Sequence, residues 1–192
     1  MSLVIAQIKD GVVYMGADTQ GSIGANYKRN SLSGSNRKII LMPHGVLVGM
    51  TGSVQNGEIL CAHKEWFDDL EHEKLTKEFL VTRIVPKFYN ELKMYGALKK
   101  ETPADSETTL MFAQEDRLFT MRDDFSVTVV PMFDAIGCGF AAAVAVYETD
   151  KTSPVKDKML LALRLASEHD ATISPPFVFI DTKQLEFETV AE

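Results

Sequence analysis

Apolar residues run along this chain in two rhythms. Near the start they form short continuous runs, Val4-Ile5-Ala6 and Val12-Val13-Tyr14-Met15, separated by Lys9-Asp10-Gly11. Runs of that length around a turn signal predict strands over 4–8 and 12–15 joined as a hairpin. The pattern repeats over 38–42 and 46–50, around Pro43-His44-Gly45. From Ser53 the rhythm changes. Ile59, Ala62, Trp66 and Leu70 recur at helical spacing, with the charged stretch 68–74 closing that helix. Leu80, Ile84, Phe88, Leu92 and Tyr95 mark a second helix over 76–98. Pro86 falls inside it and predicts a kink or a locally unpaired ladder, because proline lacks the N–H that the helix ladder needs.

Residues 101–106 read as a polar linker. Strand signals return over 108–113, 118–121 and 126–130, with Asp123-Asp124 as a turn, and a short approach at 134–136 leads into Gly137-Cys138-Gly139. Helix signals follow over 140–148, where Ala141-Ala142-Ala143 suits close helix packing. Ser153-Pro154 opens a further helix, with serine as the cap and proline at the first position. A strand over 176–180 closes the pattern. Strands, two helices, strands, two helices and a strand make an α+β chain. That order allows two packed sheets covered by two helix layers, in one domain over 1–192.

Composition narrows the class. A hydrophobic fraction of 45% and a charged fraction of 24% are ordinary for a globular protein with a sizeable core. A net charge of −7 argues against nucleic acid or an anionic membrane as the main partner. No run approaches the length of a membrane-spanning helix, and the start lacks the apolar stretch of a signal peptide. Two cysteines, Cys61 and Cys138, do not make a disulfide framework. The cytoplasm is therefore the expected location, with both thiols free and buried. His44, His63, His72 and His169 show no metal-ligand spacing, and neither a metal nor another cofactor is expected.

The candidate chemistry sits in the first forty residues. Ser2 follows Met1 and leads into the first strand, Asp18 ends the second strand, and Lys38 opens the third. A serine hydroxyl is a poor nucleophile until a base takes its proton. A terminal α-amine, with an ordinary pKa of about 7.7–8.0, can be that base near neutral pH. An ammonium close by, such as Lys38, would disfavour the charged amine and lower its pKa. Asp18 would hold Lys38 through a charge-assisted hydrogen bond. Taken singly, Asp18 reads as a turn aspartate and Lys38 as a solvated strand-edge lysine. Gly52, just before a helix start, offers a backbone N–H to an oxyanion. Gly21-Ser22-Ile23-Gly24 lacks the phosphate-loop lysine and reads as a mobile loop bordering this site.

This arrangement resembles the proteasome family, both its β-type subunits and the HslV-type bacterial peptidase, from about residue 2 to about residue 182. The family's catalytic threonine falls at Ser2, its aspartate at Asp18, and its lysine at Lys38 if the loop 31–35 carries extra residues. Its glycine-rich segment matches Val48-Gly49-Met50-Thr51-Gly52-Ser53, its Gly-Ser-Gly turn matches Gly137-Cys138-Gly139, and its last site aspartate matches Asp170. The chain departs from the pattern at Ser2, at Cys138 and at Ile173, where a serine is expected.

The resemblance implies the αββα sandwich of the N-terminal-nucleophile hydrolases. It also implies a self-compartmentalising peptidase acting on peptides or unfolded proteins, as a homo-oligomeric ring with a regulatory ATPase partner. Ser2, Asp18, Lys38, Gly52 and Asp170 would be its catalytic set. Gly21 and Ser22 would border bound substrate, and Met50 would floor a specificity pocket with Ile40 and Val54 beside it. Two other readings share the fold. One is a catalytically inactive ring subunit, and the other a small-molecule amidase of the wider N-terminal-nucleophile group.

Overall fold

Two five-stranded antiparallel sheets lie face to face. This structure, a computed structural model, describes residues 2–23, 27–30, 37–98 and 105–191. One sheet has the order β10-β1-β2-β11-β12, built from β1 (Leu3–Lys9), β2 (Val12–Asp18), β10 (Phe133–Gly137), β11 (Phe177–Asp181) and β12 (Glu188–Val190). The other runs β5-β6-β7-β8-β9, from β5 (Ile39–Leu41), β6 (Leu47–Gly52), β7 (Thr108–Gln114), β8 (Arg117–Met121) and β9 (Val127–Val130).

The unbroken apolar runs follow from burial on both faces of each sheet. In β1, Val4 and Ala6 face the opposite sheet, while Leu3 and Ile5 face the helices α4 (Phe140–Thr149) and α5 (Val155–His169). In β6, Leu47 faces the sheet interface, while Val48 and Met50 face α1 (Val54–Ala62), α2 (Lys77–Phe79) and α3 (Val85–Met94). This is the expected four-layer order. The sheets approach closely at Gly49, where an added Cβ would lie 2.8 Å from Val4 Cγ1. Among the described residues, no helix is long and apolar enough to cross a membrane.

Several expectations need correction. Residues 20–23 form a strand, β3 (Gln20–Ile23), paired with β4 (Tyr27–Asn30), where a loop was expected. Gly24 and the loop 31–35 lie outside the described residues, as does most of the expected linker. Trp66 is buried, but in a 3-10 segment (Lys64–Glu71) rather than in a continuing α-helix. Pro86 sits just inside α3, and the missing N–H is accommodated by a π-turn over Leu80–Ile84, where Val85 N–H reaches back to Leu80 O. The last helix starts one residue late, at Val155, with Pro154 in extended backbone ahead of it. β12 carried no readable signal, because its residues are mostly exposed.

Asp150 shapes the α4–α5 connection. Its Oδ1 accepts the N–H groups of Thr152 at 3.1 Å and Ser153 at 3.0 Å. Hydrogen bonds from Ser153, side chain first, and from Thr152 hold this carboxyl at about 2, below its ordinary 3.8. A depressed carboxyl contributes stability that is present above 3.8 and lost as pH falls through about 2. Asp150→Ala therefore lowers the thermal midpoint at pH 7. The gap to the parent closes as pH is taken from about 4 to about 2 in a calorimetric pH series.

Candidate active site

Three strand ends converge on one place. β1 begins directly after Ser2, β2 ends at Asp18, and β5 begins directly after Lys38. Pairing of Val4 with Ala17 sets the start of β1 beside the end of β2. Met50 N–H donates to Lys38 O at 2.8 Å, which fixes the lysine's backbone against β6.

Asp18 is fully buried and uses both oxygens. Oδ1 accepts the Leu3 N–H at 2.9 Å. Oδ2 accepts the Gln20 N–H at 3.1 Å and the Lys38 ammonium at 2.6 Å. Lys38 is itself buried. Burial pushes the Asp18 carboxyl up and the Lys38 ammonium down, each toward its neutral form. The ion pair opposes both shifts, and the Leu3 and Gln20 amides further support the charged carboxylate. One cation and two amides on a single carboxylate favour the ionised pair. The lowered Lys38 is the direction that bears on proton chemistry.

Ser2 is held from the other side. Its carbonyl accepts the Gly139 N–H at 3.4 Å and lies 3.4 Å from the Cys138 sulfur, whose one proton is shared between this carbonyl and the Asp170 side. Gly137 has φ +98°, and an added Cβ there would collide with Ser2 O and lie 3.1 Å from Thr51 Cγ2. Only glycine lets the end of β10 pass this close to Ser2. Gly137-Cys138-Gly139 thus wraps the backbone at the start of β1.

Neither thiol is buried as expected: Cys61 is half-buried and Cys138 exposed, and from Cys138 a polar chain extends outward. Its sulfur lies 3.5 Å from Thr172 Oγ1, which donates to Asp170 Oδ1 at 2.5 Å. Hydrogen bonds from the Cys138 thiol first, then from Thr172, hold Asp170 below the ordinary carboxylate value. Cys138 lies close enough to Lys38 to bear on its charge as well. Ile173, at the position where the resemblance expects a serine, is buried, and its Cδ1 lies 2.6 Å from where a Cβ on Gly139 would stand. Thr172, one residue earlier, brings a hydroxyl to the Asp170 carboxylate instead.

The remaining candidates sit nearby on β3, β5, β6 and α1. Gly52 ends β6 with φ +111°, directly before the α1 cap Ser53. Met50 and Ile40 are buried in one apolar cluster, and Met50 Sδ and Cε press on Gly57 of α1. Val54 opens α1 and is 52% exposed. Gly21 is half-buried in β3, and Ser22 follows it in that strand.

Sequence reading missed Gln20, which is buried and joins the two halves of the site. Its N–H goes to Asp18 and its Nε2 donates to Ala171 O at 3.0 Å. Nothing local marks that role, because Ala171 is far away in the chain. Thr172 had a signal in Asp170-Ala171-Thr172, a spacing at which an aspartate side chain bonds the backbone two residues on. Among the described residues, no cluster of His, Cys, Asp and Glu could hold a metal ion.

Breaking a buried ion pair leaves one charge without its partner, at a cost of about 3–5 kcal/mol. Lys38→Ala accordingly lowers unfolding free energy by about that amount in urea titrations. Asp18→Asn combined with Lys38→Met recovers part of the loss, since no buried charge then lacks a partner.

No family model matches the chain, and no curated protein matches it. Solved structures do. BPH from Thiobacillus denitrificans aligns at 21% identity over 96% of this chain and 98% of that one, with a TM-score of 0.75. HslV from Trypanosoma brucei aligns at 14% identity over 93% and 98%, with a TM-score of 0.67. Anbu, an ancestral β-subunit from Yersinia bercovieri, aligns at 11% identity over 99% and 88%, with a TM-score of 0.72. At these identities the likeness is one of architecture, and it is near full length in each case. The chain has the fold of the proteasome-type N-terminal-nucleophile hydrolases.

Proposed function

We propose that this chain is a proteasome-type peptidase subunit with Ser2 as its nucleophile. The observation that carries the reading is the buried Lys38–Asp18 pair, anchored through Leu3 N–H to the residue after Ser2. A cation held this firmly beside the chain start is what an α-amine base needs to stay neutral near pH 7.

The steps follow from these groups. Removal of Met1 frees the Ser2 amine. That amine takes the hydroxyl proton as Oγ attacks the scissile carbonyl, and the Gly52 N–H receives the oxyanion. The resulting ammonium gives its proton to the leaving amine as the C–N bond breaks. Water, deprotonated by the same amine, then cleaves the Ser2 ester. Lys38 tunes the base and Asp18 orients Lys38. Asp170, through Thr172 and Cys138, orders the wall behind Ser2. Met50 and Ile40 suit a medium or large apolar residue before the cleaved bond, with Val54 at the rim. Gly21 and Ser22, on β3, offer backbone to an extended peptide.

The same reading includes a cytoplasmic homo-oligomeric ring acting on peptides or unfolded proteins, with an ATPase as regulator. Ile173, buried against Gly139, favours a second reading, a ring subunit without turnover.

The test uses protein expressed from its natural start. The BPH from Thiobacillus denitrificans is described in complex with Epoxomicin, and the same molecule serves here as a probe. The expected results are adduct formation at Ser2 by intact mass and hydrolysis of a fluorogenic peptide. Ser2→Ala and an N-terminally acetylated form both fall to background, with a loss exceeding the roughly 10²–10⁴-fold of general-base catalysis. Light scattering shows a homo-oligomer in the parent and in Ser2→Ala alike. Hydrolysis that survives in Ser2→Ala overturns this mechanism. An oligomer with neither adduct nor hydrolysis supports the inactive ring subunit.

A further inference from the structure

Behind Gly52 lies a buried polar network that the mechanism above does not use. Asn56 stands on the first turn of α1 and is 1% exposed. Its Nδ2 donates to Ser106 O at 2.6 Å and to Thr108 Oγ1 at 2.8 Å. Ser106 and Thr108 are also buried. Ser106 Oγ donates to Thr108 O at 3.1 Å and to Asp123 O at 3.2 Å, and Ser106 N–H donates to Asp123 O at 3.0 Å. Glu107 between them is held at φ +52°, with its N–H on Asp105 Oδ1 at 2.7 Å. A glutamate in the left-handed region costs energy unless its surroundings fix it.

This turn bears directly on Gly52. Gly52 pairs with Thr108 in the β6–β7 ladder. A Cβ on Gly52 would collide with Glu107 O and lie 2.9 Å from Thr108 Cα. The strand end that carries Gly52 is therefore pressed against the 105–108 turn. Strand alternation gives the other half of the geometry. Met50 N–H points toward Lys38 O, so the N–H of Gly52, two residues on, faces the Lys38 side beyond the start of β5. Movement of the turn would shift that N–H relative to Lys38 and Ser2.

We propose that Asn56 is a positioning residue for the Gly52 N–H. It locks the 105–108 turn from α1, and the turn sets the plane of the peptide group before Gly52. Asn56 touches no reacting atom. The assignment of its amide is fixed by Ser106 O, which can accept from Nδ2 but could not donate to Oδ1. Asn56 Oδ1 is buried without a partner among the described groups, so the side chain is retained at the cost of one unmet acceptor. An apolar residue would fill the space without that cost. The donor side, aimed at Ser106 and Thr108, is what the position uses. The inference rests on the reading of Gly52 as the oxyanion donor.

The experiment compares the parent with Asn56→Ala, the isosteric Asn56→Asp, and Thr108→Val, each as the full chain. Misplacing an oxyanion donor by about 1 Å costs on the order of 10²-fold. In Asn56→Ala, kcat is expected to fall about 10- to 100-fold while KM stays within about twofold. A peptide aldehyde forms a tetrahedral adduct that needs the oxyanion donor, whereas the matching peptide alcohol does not. Its affinity should fall by the same factor, with that of the alcohol unchanged. Asn56→Asp presents an acceptor to Ser106 O and should be at least as impaired. Thr108→Val removes one of the two acceptors, should cost less, and should combine non-additively with Asn56→Ala.

Equal losses for aldehyde and alcohol, or a kcat within about twofold of the parent, overturn the proposal. If Asn56→Ala does not fold, Thr108→Val decides the question by the same discrimination. A parent that neither turns over nor labels overturns the peptidase reading instead. Hydrogen exchange of the amides over 50–53 then tests the brace by itself: faster exchange in Asn56→Ala supports it, and unchanged exchange overturns it.

Discussion

A lysine and an aspartate buried against each other tie this structure together where its chain begins. Neither charge is stable alone in that setting. Asp18 needs the Lys38 ammonium, and both need the Leu3 and Gln20 amides to complete the carboxylate's bonds. Four segments are thereby fixed relative to one another: the start of β1, the end of β2, the start of β3 and the approach to β5. Those segments belong to both large sheets and to the small hairpin. One interaction thus sets the register of the sandwich at the end where the candidate chemistry lies.

Much of the fold was readable from the sequence because burial on both sheet faces writes itself as unbroken apolar runs. The strands over 4–8, 12–15 and 108–113 announced themselves in that way. Helical spacing did the same for Leu80, Ile84, Phe88 and Leu92, all of which are buried. What failed were features decided by distant partners. β3 is polar and contains glycine, and it becomes a strand only by pairing with β4. β12 is held by β11 and by the Lys156–Glu188 ion pair, neither of which leaves a local pattern. Pro86 marked an irregularity correctly, but the helix absorbed it through the preceding π-turn.

The candidate site divides along the same line. Asp18, Lys38 and Gly52 stand at strand ends, where a polar residue or a glycine stands out against an apolar run. Gln20 and Asn56 are ordinary amides, and their importance appears only with Ala171 O, Ser106 O and Thr108 Oγ1 beside them. Thr172 stands next to the departure from the expected pattern at Ile173. With Ile173 committed to the core, the hydroxyl reaching Asp170 comes from the neighbouring position, within the same turn.

The placement of β1 has a consequence in time. Its neighbours in the sheet are β2, made at once, and β10, made when most of the chain has been synthesised. Pairings this far apart form late, because the loop they close is long. The wall around Ser2, made of Gly137, Cys138 and Gly139, belongs to the late half. A chain in which β10 has not yet paired therefore lacks that wall around Ser2. The cradle of the candidate site is thus completed only when β10 docks beside β1.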